Sequence, residues 1–357
     1  MNNPADPTHV KQDAEHLPTS RLEEARLYQK RAASLRKKGQ YEPALSDLNR
    51  AIELCPDEAM LWVDRGATWY LVNQFQNSFD DLSQAILLAP SLVDAYHNRA
   101  MTLVRLKRLD EAIADLGRVL ELDPENAGDH YFIGSLLRLK KHNLAALEHL
   151  QHALELGKND AGVYEELGLT LSAEGDVEQA IGYLQRALDL KPTARRYYLC
   201  GLERSKQGKY HEALPFFDRA IEMNALFAEA HCERGIVYSQ LGDLNMALEC
   251  FGAAIQARPT MPVTWAHRAN VFIQKADWDH ALSDADYAIQ LDPALALAYK
   301  VRAIAHKARK EKVEAAADFR KFLELDPQTT LRDWVNDELL DLEPRGFKRL
   351  TGILKNR

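Results

Sequence analysis

A chain of 357 residues that is 46% hydrophobic and 27% charged, with 17 Gly and 14 Pro, suits a folded, helix-rich protein and excludes collagen-like and low-complexity classes. Its formal charge of −8 leaves no broad basic footprint, so no nucleic-acid partner is expected. The length exceeds the roughly 250–300 residues at which one compact core stops growing, which leaves two domains or one elongated array. In chain order, residues 1–18, with Pro4, Pro7 and Pro18, read as a mobile arm. They lack a basic stretch followed by an apolar one, and no apolar run anywhere is long enough to span a bilayer, so a cytoplasmic location without membrane insertion is expected. Cys55, Cys200, Cys232 and Cys250 show no paired spacing and read as reduced thiols. Ser20 with Glu23 predicts a capping box for the first helix, so 1–24 comprises the arm and the start of that helix.

From residue 25 a pattern recurs. Tyr164, Leu167-Gly168, Gly175, Val177, Ala180, Leu184, Ala187 and Pro192 are followed by Tyr197, Cys200-Gly201, Gly208, Tyr210, Ala213, Phe217 and Ala220. His231, Arg234-Gly235, Gly242, Leu244, Ala247, Phe251, Ala254 and Pro259 come 34 residues after those where both exist. Small residues at the eighth position of each copy, Ala32, Gly66, Ala100, Gly134, Gly168, Gly201, Gly235, Ala269 and Ala303, set a register of nine copies: 25–58, 59–92, 93–126, 127–160, 161–193, 194–227, 228–261, 262–295 and 296–329. Two antiparallel helices approach closely only where side chains are small, which is the reason for this position. Aromatics such as Trp62, Trp69, Trp265, Phe251 and Phe319 then fill the space between helices. The segment ALPFFDRAIEM (213–223) carries too much apolar surface for one contact and predicts a helix that starts near Tyr210 or His211 and is covered from two sides. Copy five is one residue short, in KPTARRYY, and the proline that ends the second helix is replaced by Lys158 and Ala225 in copies four and six.

These residues resemble the tetratricopeptide repeat, whose 34-residue unit is a helix pair. The resemblance implies an all-α fold, an α-α superhelix with capping helices at the C-terminal end. Within 330–357, Leu331, Trp334, Val335 and Leu339 predict a cap on the last repeat, and Arg345–Lys355 a second amphipathic cap. The family also implies a concave groove that holds a peptide or helix, faced by the second, fifth, sixth, ninth, twelfth and thirteenth positions of the first helix of each repeat. Here those positions include Tyr70, Asn98, Arg105, Tyr131, Phe132, Arg138, Arg195, Tyr198 and Lys206, an aromatic and basic set, then Glu165, Glu166, Glu229 and Glu233, an acidic one. Aromatic residues beside arginines are the types enriched where binding energy concentrates.

The heat-shock chaperone carboxylate clamp of some relatives is absent, because Val63, Ala67, Gly128 and Phe132 surround the single matching Asn98. The sixth-position Asn ladder of the sugar-transferase relatives is also absent. His149 and His152, with His142 nearby, lack a fourth zinc ligand and read as exposed histidines. No phosphate-binding glycine motif occurs, and no cofactor is expected. The sequence therefore points to a non-enzymatic adaptor for a protein or peptide partner, with a substrate-recruiting subunit of an enzyme complex as the alternative.

Overall fold

The computed structural model describes residues 17–342, with side chains from residue 21 onward. Among these residues there are 19 helices and no strand, an all-α solenoid of helix hairpins. The chain divides into two units, up to Glu174 and from Gly175. The first unit holds α1 (Leu17–Lys37), α2 (Tyr41–Leu54), α3 (Ala59–Leu71), α4 (Phe75–Leu88), α5 (Val93–Arg105), α6 (Leu109–Leu122), α7 (Ala127–Leu139), α8 (Asn143–Glu155) and α9 (Ala161–Glu174). The second holds α10 (Val177–Leu190), α11 (Ala194–Lys206), α12 (Tyr210–Met223), α13 (Ala228–Gln240), α14 (Leu244–Ala257), α15 (Pro262–Gln274), α16 (Trp278–Leu291), α17 (Ala296–Ala308), α18 (Lys312–Leu325) and α19 (Arg332–Leu342). The first helix begins at Leu17, so Ser20 lies inside it and not at its cap. The proposed cap at 345–355 lies outside the described residues.

Each hairpin turns on one left-handed residue at the fifteenth repeat position. In the hairpins within each unit Gly occupies it at Gly39, Gly208 and Gly242, but Asn73, Lys107, Lys141, Ala276 and Lys310 also adopt a positive φ, of 57–65°. The turn closes as a Schellman pair: Asp277 N donates to Phe272 O at 2.9 Å and Ala276 N to Ile273 O at 3.0 Å. Across the hairpin, a Cβ on Gly134 would stand 2.6 Å from Leu150 Cγ, and one on Gly201 2.9 Å from the Phe217 ring. The absent side chain is what lets the two helices meet.

Successive hairpins are joined by a second recurring contact. The fourth-position side chain donates to a carbonyl six residues earlier, in the loop that leaves the preceding repeat: Trp62 Nε1 to Pro56 O and Trp265 Nε1 to Pro259 O at 2.8 Å, Tyr299 Oη to Pro293 O at 3.2 Å, and His231 Nε2 to Ala225 O at 3.0 Å. These residues are thus seams between hairpins; Trp62, Trp265 and Tyr299 stay partly exposed, whereas His231, Phe251 and Phe319 are buried.

α12 starts at Tyr210, as its sequence predicts, and buries Ala213, Phe217 and Ala220. Phe217 packs with Tyr198 of α11 on one side and Val237 of α13 on the other. The missing residue of the fifth copy falls in the loop Lys191–Thr193, where Thr193 extends to φ −144° and its hydroxyl accepts from Arg196 N at 3.2 Å. Where Lys158 replaces proline, Gly157 turns left-handed at φ 89° and Asp160 accepts from Gly162 N and Val163 N at 2.9 and 3.1 Å. α19 seats Val335 and Leu342 against Ala315, Phe319 and Phe322, with Trp334 edge-on to Phe319 at 5.7 Å.

Candidate interaction surface

Every residue in the groove set lies on the first helix of a repeat, because the 3.6-residue helical period brings the chosen positions to one side. In the first unit this side opens into a cleft of about 580 Å³ over α1, α3 and α5, lined by Met60, Val63, Ala67, Tyr70, Asn98 and Met101 among others. All six occupy inward positions of the expected register. Asp64 also lines the cleft and is held by Gln29 Nε2 at 2.7 Å and Arg36 Nη2 at 3.3 Å, so its charge is already compensated. Asn98 donates to Asp94 O at 2.8 Å through its amide nitrogen, leaving its side-chain oxygen without a donor among the described residues.

The basic members of the set are less available than their positions suggest. Arg138 donates to both carboxylate oxygens of Glu166, from Nε at 2.5 Å and Nη2 at 3.2 Å. Arg105 lies over the Phe75 ring at 4.5 Å and the Tyr70 ring at 5.7 Å. Tyr131 carries the Lys158 ammonium over its ring at 5.1 Å, and burial together with Glu166 raises its phenol above the ordinary range. Phe132 faces the His97 ring at 6.5 Å and packs into the core shared by α5, α6 and α7. Glu165 is half-buried.

In the second unit, Tyr198 sits against the Phe227 ring at 5.2 Å. Burial, reinforced by Glu233 and Glu229, pushes its phenol well above the usual value. Burial also raises the Glu233 carboxyl, against the opposing pull of Lys206. Lys206 itself bonds buried Glu203 at 2.7 Å, Glu229 accepts from Arg258, and Arg195 is exposed. Cys200 and Cys232 are pushed up to about 12 by burial, which makes them poor nucleophiles; all four cysteines are free.

Sequence reasoning overlooked one recurring arrangement. Arginine at the seventh repeat position grips aspartate at the twenty-third: Arg65–Asp81, Arg99–Asp115, Arg268–Asp284 and Arg302–Asp318 each make two bonds of 2.6–2.8 Å, and Arg31–Asp47 repeats the pairing. A spacing of sixteen residues would have disclosed it. Repeats four to six lose both partners together, with Ile133 and His149, Leu167 and Tyr183, and Cys200 and Phe216 in their places. His149 instead meets His130 Nδ1 at 3.0 Å, while His142 and His152 are exposed. Among the described residues no cluster has the makings of a metal site, and no helix is long and apolar enough to cross a membrane.

Family models described as tetratricopeptide repeat match 93–126 and 228–261, 163–196, and 25–58 and 194–225. Four of these five windows begin where the small-residue register starts a copy. A similar solved structure is a tetratricopeptide repeat protein from Parabacteroides merdae, with a TM-score of 0.58 and 20% identity, covering 71% of this chain and 99% of that one. Another is the APC/C hetero-tetramer Cut9–Hcn1, at TM-score 0.58 and 16% identity, covering 86% of this chain and 60% of that one. At these identities the likeness is one of fold. No curated protein matches.

Proposed function

The chain is a tetratricopeptide-repeat protein, and from that premise we propose that it is a non-enzymatic adaptor whose first unit holds a peptide segment of a protein partner. The fold in general serves as a protein-interaction scaffold. The observation that carries the more specific reading is the cleft of about 580 Å³ built from the inward positions of three repeats. Its chemistry suits a peptide: Met60 and Met101 offer adaptable apolar contact, Tyr70 an aromatic wall, and the Asn98 side-chain oxygen an acceptor for a backbone N–H. The partner segment is therefore one that places an apolar side chain in the cleft.

The test is to select peptides from a displayed random library on the full chain and to measure them again on Ala67→Trp, which fills the cleft. Affinity should fall at least tenfold, about 1.4 kcal/mol. Peptides that bind the filled variant as tightly as the natural chain would remove the cleft assignment.

A further inference from the structure

A second, smaller cleft lies wholly within the second unit. Its volume is about 210 Å³, and it is lined by Ile236 and Ser239 of α13, Phe251 of α14, His267 and Asn270 of α15, and Lys300 of α17, among others. At about 30 Å³ per water it has room for one amino-acid side chain.

Its charge is unbalanced. Lys300 is half-buried, and among the described residues no carboxylate, hydroxyl or carbonyl holds its ammonium. Burial accordingly lowers its pKa. The other lysines and arginines of α13, α15 and α17 are compensated: Arg234 by Asp218, Arg268 by Asp284, Arg302 by Asp318 and Lys307 by Glu338. His267 stacks flat on Phe251, with centroids 6.1 Å apart and planes within 8°, and neither ring nitrogen has a partner among the described residues. Burial first, and the Lys300 charge second, push this imidazole down to about 4, so at neutral pH it is an uncharged ring with one N–H to donate. A desolvated ammonium beside an undirected imidazole is unfavourable for the empty protein; an incoming anion would convert both into charge-assisted hydrogen bonds.

We propose that this cleft is a carboxylate subsite that receives an aspartate or glutamate side chain of a partner peptide, with Lys300 as its ion-pair partner and His267 as a second donor. One ammonium and a neutral imidazole balance one negative charge. A phosphate ester, at about −1.5 to −2, would leave charge uncompensated. Ser239, whose hydroxyl accepts from Gln274 Nε2 at 3.2 Å, and Asn270 add further polar groups to the lining. The proposal rests on the reading of the chain as a peptide-binding scaffold but uses a cleft separate from that of the first unit.

The experiment uses the full chain and a displayed random peptide library, with one arm presenting free C-termini and one presenting blocked ones. An acidic side chain should recur at one place in the selected peptides. Replacing it by its amide, or replacing Lys300→Met, should each weaken binding at least tenfold, and the two losses should not add. Lys300→Arg should restore most of the affinity, which separates charge from packing. In saturating peptide the His267 ring should titrate at higher pH by NMR, and the amide peptide should leave it unmoved. Peptides that ignore Lys300→Met, or that carry no recurrent acid, would overturn the subsite while leaving the first cleft standing. Selection solely through free C-terminal carboxylates would overturn the side-chain source. Recovery of no binding peptide at all would sink the subsite and the adaptor reading together.

Discussion

Arg302 donates from Nε and Nη2 to the two carboxylate oxygens of Asp318, at 2.8 and 2.7 Å, and from Nη1 to Asp286 at 2.6 Å. Asp318 is 6% exposed, so the pair joins the two helices of the last repeat largely out of water and reaches the repeat before it. Asp318→Leu alone should cost about 3 kcal/mol, because it strands a guanidinium that has lost its better partner. The double replacement Arg302→Met with Asp318→Leu should recover most of that loss. Urea unfolding, with amide exchange followed in α17 and α18, checks both; a double variant no more stable than the single one would contradict the pairing account.

Gly134 marks the closest crossing of α7 and α8. Leu150 Cγ at 2.6 Å and Ala146 O at 3.1 Å from an added Cβ leave no room for a side chain. Gly134→Leu should destabilise by about 1–3 kcal/mol or more through overpacking, despite the better helix propensity of leucine. A thermal midpoint equal to that of the natural chain would show that the crossing relaxes without cost.

Ala276 takes the left-handed turn position at φ 57°. L-residues with a Cβ disfavour that conformation by roughly 1–2 kcal/mol, so Ala276→Gly should stabilise the hairpin of α15 and α16, by up to about 1 kcal/mol after the entropy of glycine in the unfolded chain is counted. Denaturant midpoints of the two proteins measure it, and a fall in stability would refute the strain.

His267 supplies a pH dependence. Its folded value of about 4 lies below the ordinary 6.5, so the unfolded chain binds the proton more readily and stability falls with acid. The stability associated with the neutral ring is fully present above about pH 6.5 and is lost as pH drops towards 4, with a slope of at most about 1.4 kcal/mol per pH unit. His267→Gln should remove that slope between pH 4.5 and 6.5 relative to the natural chain. Parallel stability curves for the two proteins would mean that the imidazole is protonated as easily folded as unfolded.

Residue order alone disclosed the helix hairpins and the place of the short copy, because both follow from helical period and from the steric demand for a small residue such as Gly134. The apolar lining residues Met60 and Met101 were implicit in the same register, although an emphasis on charged and aromatic types passed over them. Which charges remain available was decided between helices. Arg138 and Glu166 both hold inward repeat positions, yet they lie on α7 and α9 close enough to neutralise each other. Lys300, also at an inward repeat position, lines a cleft with His267 and has no anionic partner among the described residues. Charge pairing depends on where long side chains reach across a crossing, and repeat position does not specify that reach.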